Sequence, residues 1–566
     1  MKKRFCHAKK WCMSKTVAEQ WCDILAADGQ RQLYSLAGEC DNVLMETLHR
    51  EKRWKRRTEL QQEDAAVLAA SAGARLTGET QVCYAGCLPG LYRIRAAMAE
   101  AAENRDRLLV LGVLPSDSSL SDGPEGCCRA EIVQYPEEAV STLAEALRRT
   151  DAGRGPILLL IREEVAGMPT GDVVCPPRQA IRVQPLRPHP ADVAEMASIL
   201  NKSERTVFLC GGGCEGAREE LLLLAQHLQA PVVFTMAGKQ VVEGDNELAI
   251  GMTGIMGWGA APAAVMDCGL LVMWGTDFPY PEYLPAHGNV VQVDSDPAAL
   301  GRRCRLRLAV AGDVREVARE LLPLVKRGMN DDFATAMRSL HRRELAHSEQ
   351  YVRNTDDRLP LRPELVTRVV SDHAEPDAVF CVEVGAPMLW CARYLHPLGK
   401  QRLTGAFRSG LGESALPMGL GVKSAYPSRQ VVAVCTAEGV LRHLNELLTL
   451  QREHLSLKIL VLQRLLPDSM RIDRAASSAP FSVAEVAAAM GLKAGRIHQA
   501  QQIHHAVRSW LTESEASLLE AVVDAHAMSA PPEVMVRGEN GQHRLVNRAA
   551  GEHFIRIIYG NRRFLR

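Results

Sequence analysis

The sequence is short of aromatics and has no excess charge of either sign, and each shortage removes a class of protein. Phe, Trp and Tyr make up 5% of the 566 residues, and 67 Lys and Arg are matched by 67 Asp and Glu. A chain without net charge has no overall electrostatic footprint for nucleic acid. No run approaches the ~20 consecutive apolar residues of a membrane span. The stretch Met1 to Met13 is basic and lacks the apolar core of a secretory signal, so it reads as a flexible extension. Its Cys6, His7 and Cys12 would need ligands from elsewhere to hold a metal. Cysteine itself is not scarce, but the 16 are scattered from Cys6 to Cys435 without the density of a disulfide scaffold, which fits a reducing compartment and a cytoplasmic protein.

What is present is a repeated alternation. Short apolar runs at Leu108 to Gly112, Pro156 to Ile161, Thr206 to Cys210, Leu270 to Trp274, Val290 to Asp294, Val379 to Val382, Val431 to Cys435 and Lys458 to Leu462 are separated by longer amphipathic stretches. Buried strands alternating with helices predict parallel sheets covered on both faces, hence the α/β class. The length exceeds what one core supports. Pro- and Arg-rich sequence around Pro176 to Pro190 and a charged helical stretch from Asp331 to Arg358 mark connectors. The expected organisation is an extension (1–13), three successive doubly wound domains (14–183, 184–335 and 336–530) and a short tail (531–566).

The strand Thr206 to Cys210 runs straight into Gly211-Gly-Gly-Cys-Glu-Gly216 and then a helical stretch. Gly211, Gly213 and Gly216 satisfy G-x-G-x-x-G in the strand-to-helix context where a backbone can approach a diphosphate. The same pattern also suits a tight turn packing a helix on a sheet. Two more loops follow strands: Gly275-Thr-Asp-Phe-Pro-Tyr280, and Asp294-Ser-Asp296. Ligands of doubly wound sheets sit at the carboxyl ends of strands, where an acidic residue holds a ribose hydroxyl. Together these loops suggest a dinucleotide, although Asp296, before Pro297, could equally cap a helix.

On these segments, with Gly251-Met-Thr-Gly-Ile-Met-Gly257, Gly312-Asp313, Trp390-Cys-Ala-Arg-Tyr-Leu395 and Arg429-Gln-Val-Val-Ala-Val434, the chain resembles the ubiquinone-dependent pyruvate dehydrogenase (pyruvate oxidase) branch of the thiamine diphosphate enzymes. The likeness covers roughly Ser14 to Pro532. It implies a first domain for the aminopyrimidine of thiamine diphosphate, a middle domain for FAD and a third for the diphosphate through a metal ion. The implied FAD residues are Gly211, Gly213, Gly216, Met252, Thr253, Gly254, Ile255, Gly275, Thr276, Asp277, Phe278, Pro279, Tyr280, Asp294 and Asp296. It also implies a homotetramer built from dimers.

The resemblance places Glu63 as the carboxylate beside the pyrimidine; the alternative is an ordinary exposed helix glutamate. Elsewhere the sequence departs from the pattern. Ala437, in Cys435-Thr-Ala-Glu-Gly439, stands where an aspartate ligand belongs, and Gln463 with Arg464 replaces an asparagine ligand, so both side chains expected on a magnesium ion are missing. Glu438 removes a glycine whose backbone would approach the diphosphate, although Glu438 or Gln463 could hold a displaced metal. Arg464 could neutralise phosphate directly or be a surface arginine. Leu88 replaces a small residue in Ala85 to Gly90, Gly412 replaces a bulky side chain that wedges the cofactor's rings apart, and the stretch after Leu114-Pro-Ser-Asp117 is short. These departures make thiamine diphosphate and magnesium doubtful cofactors.

The end from His543 to Arg566 mixes apolar residues with arginines, an amphipathic pattern suited to an anionic membrane interface or to packing on protein, with Gly551 and Gly560 interrupting a continuous helix. The reading of the whole is an FAD-binding, noncatalytic relative that works through assembly or regulation, with an active paralogue or another protein as its partner, cytoplasmic or peripheral at the inner membrane face. The alternative is a working flavoenzyme: a pyruvate:quinone oxidoreductase with unusual diphosphate ligands, or one using FAD for another reaction.

Overall fold

The computed structural model describes residues 15–26, 32–38, 42–115, 129–170, 184–285, 288–328, 331–353, 360–465, 481–524, 533–537 and 543–547. The expected extension (1–13), the short stretch after Leu114 beyond residue 115, and residues 548–566 of the tail lie outside them. The chain divides into two compact units: Met1–Val183 with Arg408–Ser428 and Leu441–Leu457, and Gln184–Phe407 with Arg429–Val440 and Lys458–Arg566.

The first unit holds a parallel sheet of β1 (Gln32–Leu36), β2 (Arg56–Leu60), β3 (Gln81–Cys87), β4 (Leu108–Leu114), β5 (Arg129–Val133) and β6 (Ile157–Arg162), in the order β2-β1-β3-β4-β6-β5. Every residue of β4 is buried, as a parallel strand covered on both faces must be. The helix Glu63–Thr77 is alanine-rich, with Ala65 to Ala74 buried, and ends at Gly78 in the left-handed conformation. Its small side chains admit the helix Ala415–Ala425 at backbone distance: a Cβ on Gly421 would lie 1.9 Å from the Ala69 carbonyl oxygen. Tyr34 donates to the Gly421 carbonyl (3.2 Å) and Tyr426 to that of Leu76 (2.8 Å), which locks the pair.

The second unit holds two sheets. One orders its strands β10-β9-β8-β7-β11-β12-β13, where β7 is Thr206–Cys210, β8 Val232–Phe234, β9 Ala249–Met252, β10 Trp258–Gly259, β11 Leu270–Trp274, β12 Val290–Asp294 and β13 Leu308–Ala311; only β10 runs antiparallel. Alternate residues feed opposite cores: Phe208, Val272 and Trp274 on one face, Val207, Leu209 and Met273 on the other. The other sheet is parallel, in the order β15-β14-β16-β17-β19-β18, with β14 Val379–Val382, β15 Arg402–Thr404, β16 Val431–Cys435, β17 Lys458–Leu465, β18 Lys493–Ile497 and β19 Ser517–Asp524. All the apolar runs read from the sequence are strands, and the expected class of three parallel-sheet α/β layers is the architecture found. The charged connector is a helix over Asp332–Arg353.

Where the tail is described, Glu533–Arg537 and His543–Asn547 (β20 and β21) pair as an antiparallel ribbon, Met535 opposite Leu545. The reason is legible: two runs of alternating β-formers flank Asn540-Gly541, a hairpin signal. No helix among the described residues is long and apolar enough to cross a membrane.

Candidate functional site

Glu63 opens the helix Glu63–Thr77, where a carboxylate favours the positive end of the helix dipole. It is not an ordinary exposed glutamate. Its side chain is 16% exposed and pairs with Arg93, Nη1 lying 3.1 Å from Oε2 and 3.4 Å from Oε1. Ala85 to Gly90, read from the sequence as a loop, is the end of β3 and the first turn of the helix Leu88–Arg93, and it lies close against Glu63: a Cβ on Gly90 would stand 2.8 Å from Glu63 Oε1.

The residues before Glu63 are held by groups that sequence reasoning missed. Glu446, fully buried, accepts the Gln61 and Gln62 N–H groups (2.9 and 3.0 Å) at Oε1 and the Thr449 hydroxyl (2.8 Å) at Oε2. Burial pushes its carboxyl up to about 7 against the opposing pull of those hydrogen bonds. His443 lies 3.0 Å from Gln62 Oε1 through Nδ1, and burial holds it below the usual imidazole range. The available signal was Glu446 one turn ahead of Thr449, among Leu447, Leu448 and Leu450, in the helix Glu446–Arg452.

In the second unit, β14 and β16 are neighbours, and their carboxyl ends bring together the second set of residues. Ala437 is buried at the start of the helix Ala437–Arg442, and Glu438 is exposed. Part of the turn is satisfied from within. Glu383, 2% exposed and next after β14, accepts the Thr436 N–H (3.1 Å) and the Thr436 hydroxyl, while the Gly439 N–H donates to Thr436 Oγ1 (3.0 Å). A Cβ on Gly439 would lie 2.1 Å from Glu383 Oε2, so this glycine makes room for a carboxylate of the protein itself. Glu383 was also missed, although its place just beyond a strand's carboxyl end marks it.

The neighbouring strand β17 carries Gln463 and Arg464 near its end; Arg464 is exposed, and Gln463 Oε1 is buried without a hydrogen-bond partner among the described residues. A methyl group at 437 and one amide oxygen at 463 do not make the oxygen cage that magnesium demands. Among the described residues no three His, Cys, Asp or Glu gather to hold a metal. The residues present thus do not fit a magnesium diphosphate in the pattern that the resemblance implies. In the first unit, a Cβ on Gly412 would meet nothing within 4 Å, so no side chain fills the place of the expected wedge.

The dinucleotide-type residues do converge. β7, β11 and β12 are adjacent, which sets Gly211 to Gly216, Gly275 to Tyr280 and Asp294 to Asp296 side by side at the carboxyl ends. The loop after β9 joins them, because a Cβ on Gly254 would lie 2.9 Å from the Phe278 ring and 3.4 Å from that of Tyr280. Met252, Thr253 and Gly254 are buried and Ile255 half-buried, Phe278 is buried, and Pro279 is exposed. Several glycines serve loop-on-loop packing: Gly213 donates to the Gly275 carbonyl (3.0 Å), and a Cβ on Gly211 would come within 2.4 Å of Thr276 Cβ. Gly212 and Gly216 are exposed, and their N–H groups have no acceptor among the described residues. Asp277 pairs with Arg302, and Arg303 lies 3.7 Å from it. Asp296 caps a short turn by accepting the Ala298 N–H (3.0 Å), and Asp294 accepts the Asp296 N–H (2.9 Å). The capping alternative for Asp296 is therefore realised.

Against this geometry, three family profiles match in order: the thiamine pyrophosphate enzyme N-terminal TPP binding domain over residues 15–166, the central domain over 193–321 and the C-terminal TPP binding domain over 383–521. Among individual relatives, an uncharacterized 42.6 kDa protein of Pseudomonas amyloderamosa is 33% identical over 324 residues, 55% of this chain and 81% of the relative. The acetolactate synthase isozyme 2 large subunit of Escherichia coli (strain K12) is 28% identical over 427 residues, 71% of this chain and 74% of the relative. The pyruvate oxidase of Lactiplantibacillus plantarum is 26% identical over 456 residues, 76% of this chain and 74% of the relative. The synthase and the oxidase match to a similar degree, so identity alone does not separate those branches. The three domain matches, in this order and together spanning most of the chain, establish that it belongs to the thiamine pyrophosphate enzyme family.

Proposed function

We propose that this chain is a flavin-binding relative of pyruvate oxidase that no longer binds magnesium thiamine diphosphate or decarboxylates pyruvate, and that it acts through assembly or regulation with a partner protein. The observation that carries this reading is the turn after β16. The aspartate ligand is replaced by buried Ala437, and the Thr436 N–H and hydroxyl beside it are taken by Glu383. Fold and site chemistry separate readily, so loss of the second leaves the first intact. The Arg93 guanidinium on Glu63 supports the same reading, because the carboxylate that would share a proton with the pyrimidine already has a cationic partner. For the flavin, the exposed Gly212 and Gly216 amides would meet the diphosphate, and Phe278, Tyr280 and Met252 would supply apolar contact. When bound, FAD supplies a two-electron acceptor. The homotetramer and the peripheral membrane contact of the tail belong to this proposal as what the pyruvate oxidase branch would bring.

A second reading has one observation in its favour. Gln463 Oε1, buried and without a partner, is an oxygen that a displaced cation could use, in an active pyruvate:quinone oxidoreductase with Glu63 as the catalytic carboxylate. Titration calorimetry of the flavin-loaded protein with thiamine diphosphate and magnesium, followed by absorbance after pyruvate addition, separates the two. The lead reading expects a flavin spectrum, no heat of binding and no bleaching. Tight binding with flavin reduction overturns it.

A further inference from the structure

The second unit contains a cavity of about 460 Å³ away from the strand ends described above, between the helices Asp332–Arg353 and Pro363–His373 on one side and Trp258, Arg393 and His396 on the other. That size is ordinary for a small-molecule pocket. Its charges are unevenly satisfied. Arg368 is held by Asp372 (3.0 Å) and Glu349 (3.7 Å), a self-contained ionic group at one end. Arg393 is different. It is 8% exposed, yet its one hydrogen bond goes from Nη2 to the Gly257 carbonyl (2.8 Å), and no carboxylate among the described residues lies within ion-pair distance. Glu364 and Glu344 reach it only through their fields, and burial pushes its pKa down to about 10. A guanidinium has five N–H donors in a rigid fork. A buried cation left without a counter-charge is strongly disfavoured.

We propose that this cavity is a binding site for a small organic monocarboxylate with an apolar body, its carboxylate on the Arg393 fork. Two further features define the ligand class. Opposite Arg393 the cavity is walled by Leu345, Val352, Leu365 and Val369, which suits a hydrocarbon or aromatic body and not a sugar or a nucleotide. Glu344, Glu349 and Asp372 also line it and repel polyanions such as phosphorylated metabolites, so one negative charge is the limit. A planar carboxylate matches the planar fork with paired hydrogen bonds, a geometry that lysine could not supply. The site is independent of whether the chain binds FAD or thiamine diphosphate. It ties the third sheet's layer, through Arg393, to the connector helix and to the loop before β10, so its occupancy would stiffen the middle of this unit.

The test is titration of the full-length protein with 3-phenylpropionate, and in parallel with the neutral 3-phenylpropionamide. The expected result is 1:1 binding of the acid, tighter than the amide by about tenfold or more, the ratio a charge-assisted hydrogen bond gives. Arg393→Gln is expected to erase that ratio. Leu345→Trp, which fills the apolar wall and leaves the guanidinium in place, is expected to abolish binding of both, and it decides the matter should the first variant fail to fold. Equal affinity for acid and amide, no acid binding up to millimolar concentration, or acid binding unchanged in Leu345→Trp would each overturn the proposal and leave the cavity to water.

Discussion

Two turns in the second unit occupy the same topological place and have diverged in opposite directions. Both follow a parallel strand at its carboxyl end and lead into a helix: the turn after β7 and the turn after β16. The first keeps four glycines, with two outward amides at Gly212 and Gly216. The second has Thr436, Ala437 and Glu438 ahead of one glycine, and Gly439 faces a carboxylate of the protein. An anion site at a strand end is made of unsatisfied N–H groups. The N–H groups of Ala437 and Glu438 also lack an acceptor among the described residues, so the two turns differ in the carboxylate that Glu383 brings to the second. The comparison teaches that two turns at one topological place can differ in whether a side chain of the protein itself fills the space beside their glycines.

The contrast can be broken in descending steps. Gly213→Val should cost most, about 4 kcal/mol by denaturant unfolding, because its Cβ would stand 2.7 Å from Gly275 Cα, an immovable backbone atom. A tolerated valine would mean the glycine turn is looser than described. In the first unit, Glu446 sets a pH dependence of comparable size. Its folded value of about 7 lies above the ordinary 4.5, so the folded state holds a proton that the unfolded state releases, and stability falls as pH rises between those values. The loss amounts to ~3 kcal/mol at neutral pH. Glu446→Gln should abolish that slope in melting temperatures taken from pH 5 to 8, and an unchanged slope would place the proton elsewhere.

The next step returns to the refilled turn. Glu383→Ala leaves the Thr436 N–H without its acceptor and should cost about 2 kcal/mol, whereas Ala437→Gly should cost only ~1 kcal/mol, the helix propensity difference. Equal losses would show that Glu383 does not hold the turn. The smallest effect is expected at Arg93, whose side chain is 68% exposed: Arg93→Ala should change stability by less than about 0.5 kcal/mol, since a pair so open to solvent contributes little. A larger loss would make Glu63 dependent on its cation for the fold and not for chemistry.

The strands were legible because parallel strands buried on both faces read as unbroken apolar runs, and β4, β7 and β11 are such runs. The convergence of the Gly211, Gly275 and Asp294 loops was legible too, since each follows a strand. What the sequence does not spell out is partnership across distance. Glu446 meets Gln61 and Gln62 from far along the chain, and Glu383 meets Thr436 only because β14 and β16 lie side by side. Periodicity carries no trace of either pairing. The ribbon of β20 and β21 had a local signal, Asn540-Gly541 between two runs of β-formers.

The helix Ala415–Ala425 has a consequence for how the protein is made. It covers the alanine face of Glu63–Thr77, yet it is encoded more than three hundred residues later. A ribosome releasing the chain from its amino end therefore exposes a first sheet whose lid has not been synthesised, and that apolar face must wait through the whole of the middle sheet. Expression of residues 15–183 alone should yield an aggregating fragment, and joining it to 408–428 and 441–457 should restore its solubility.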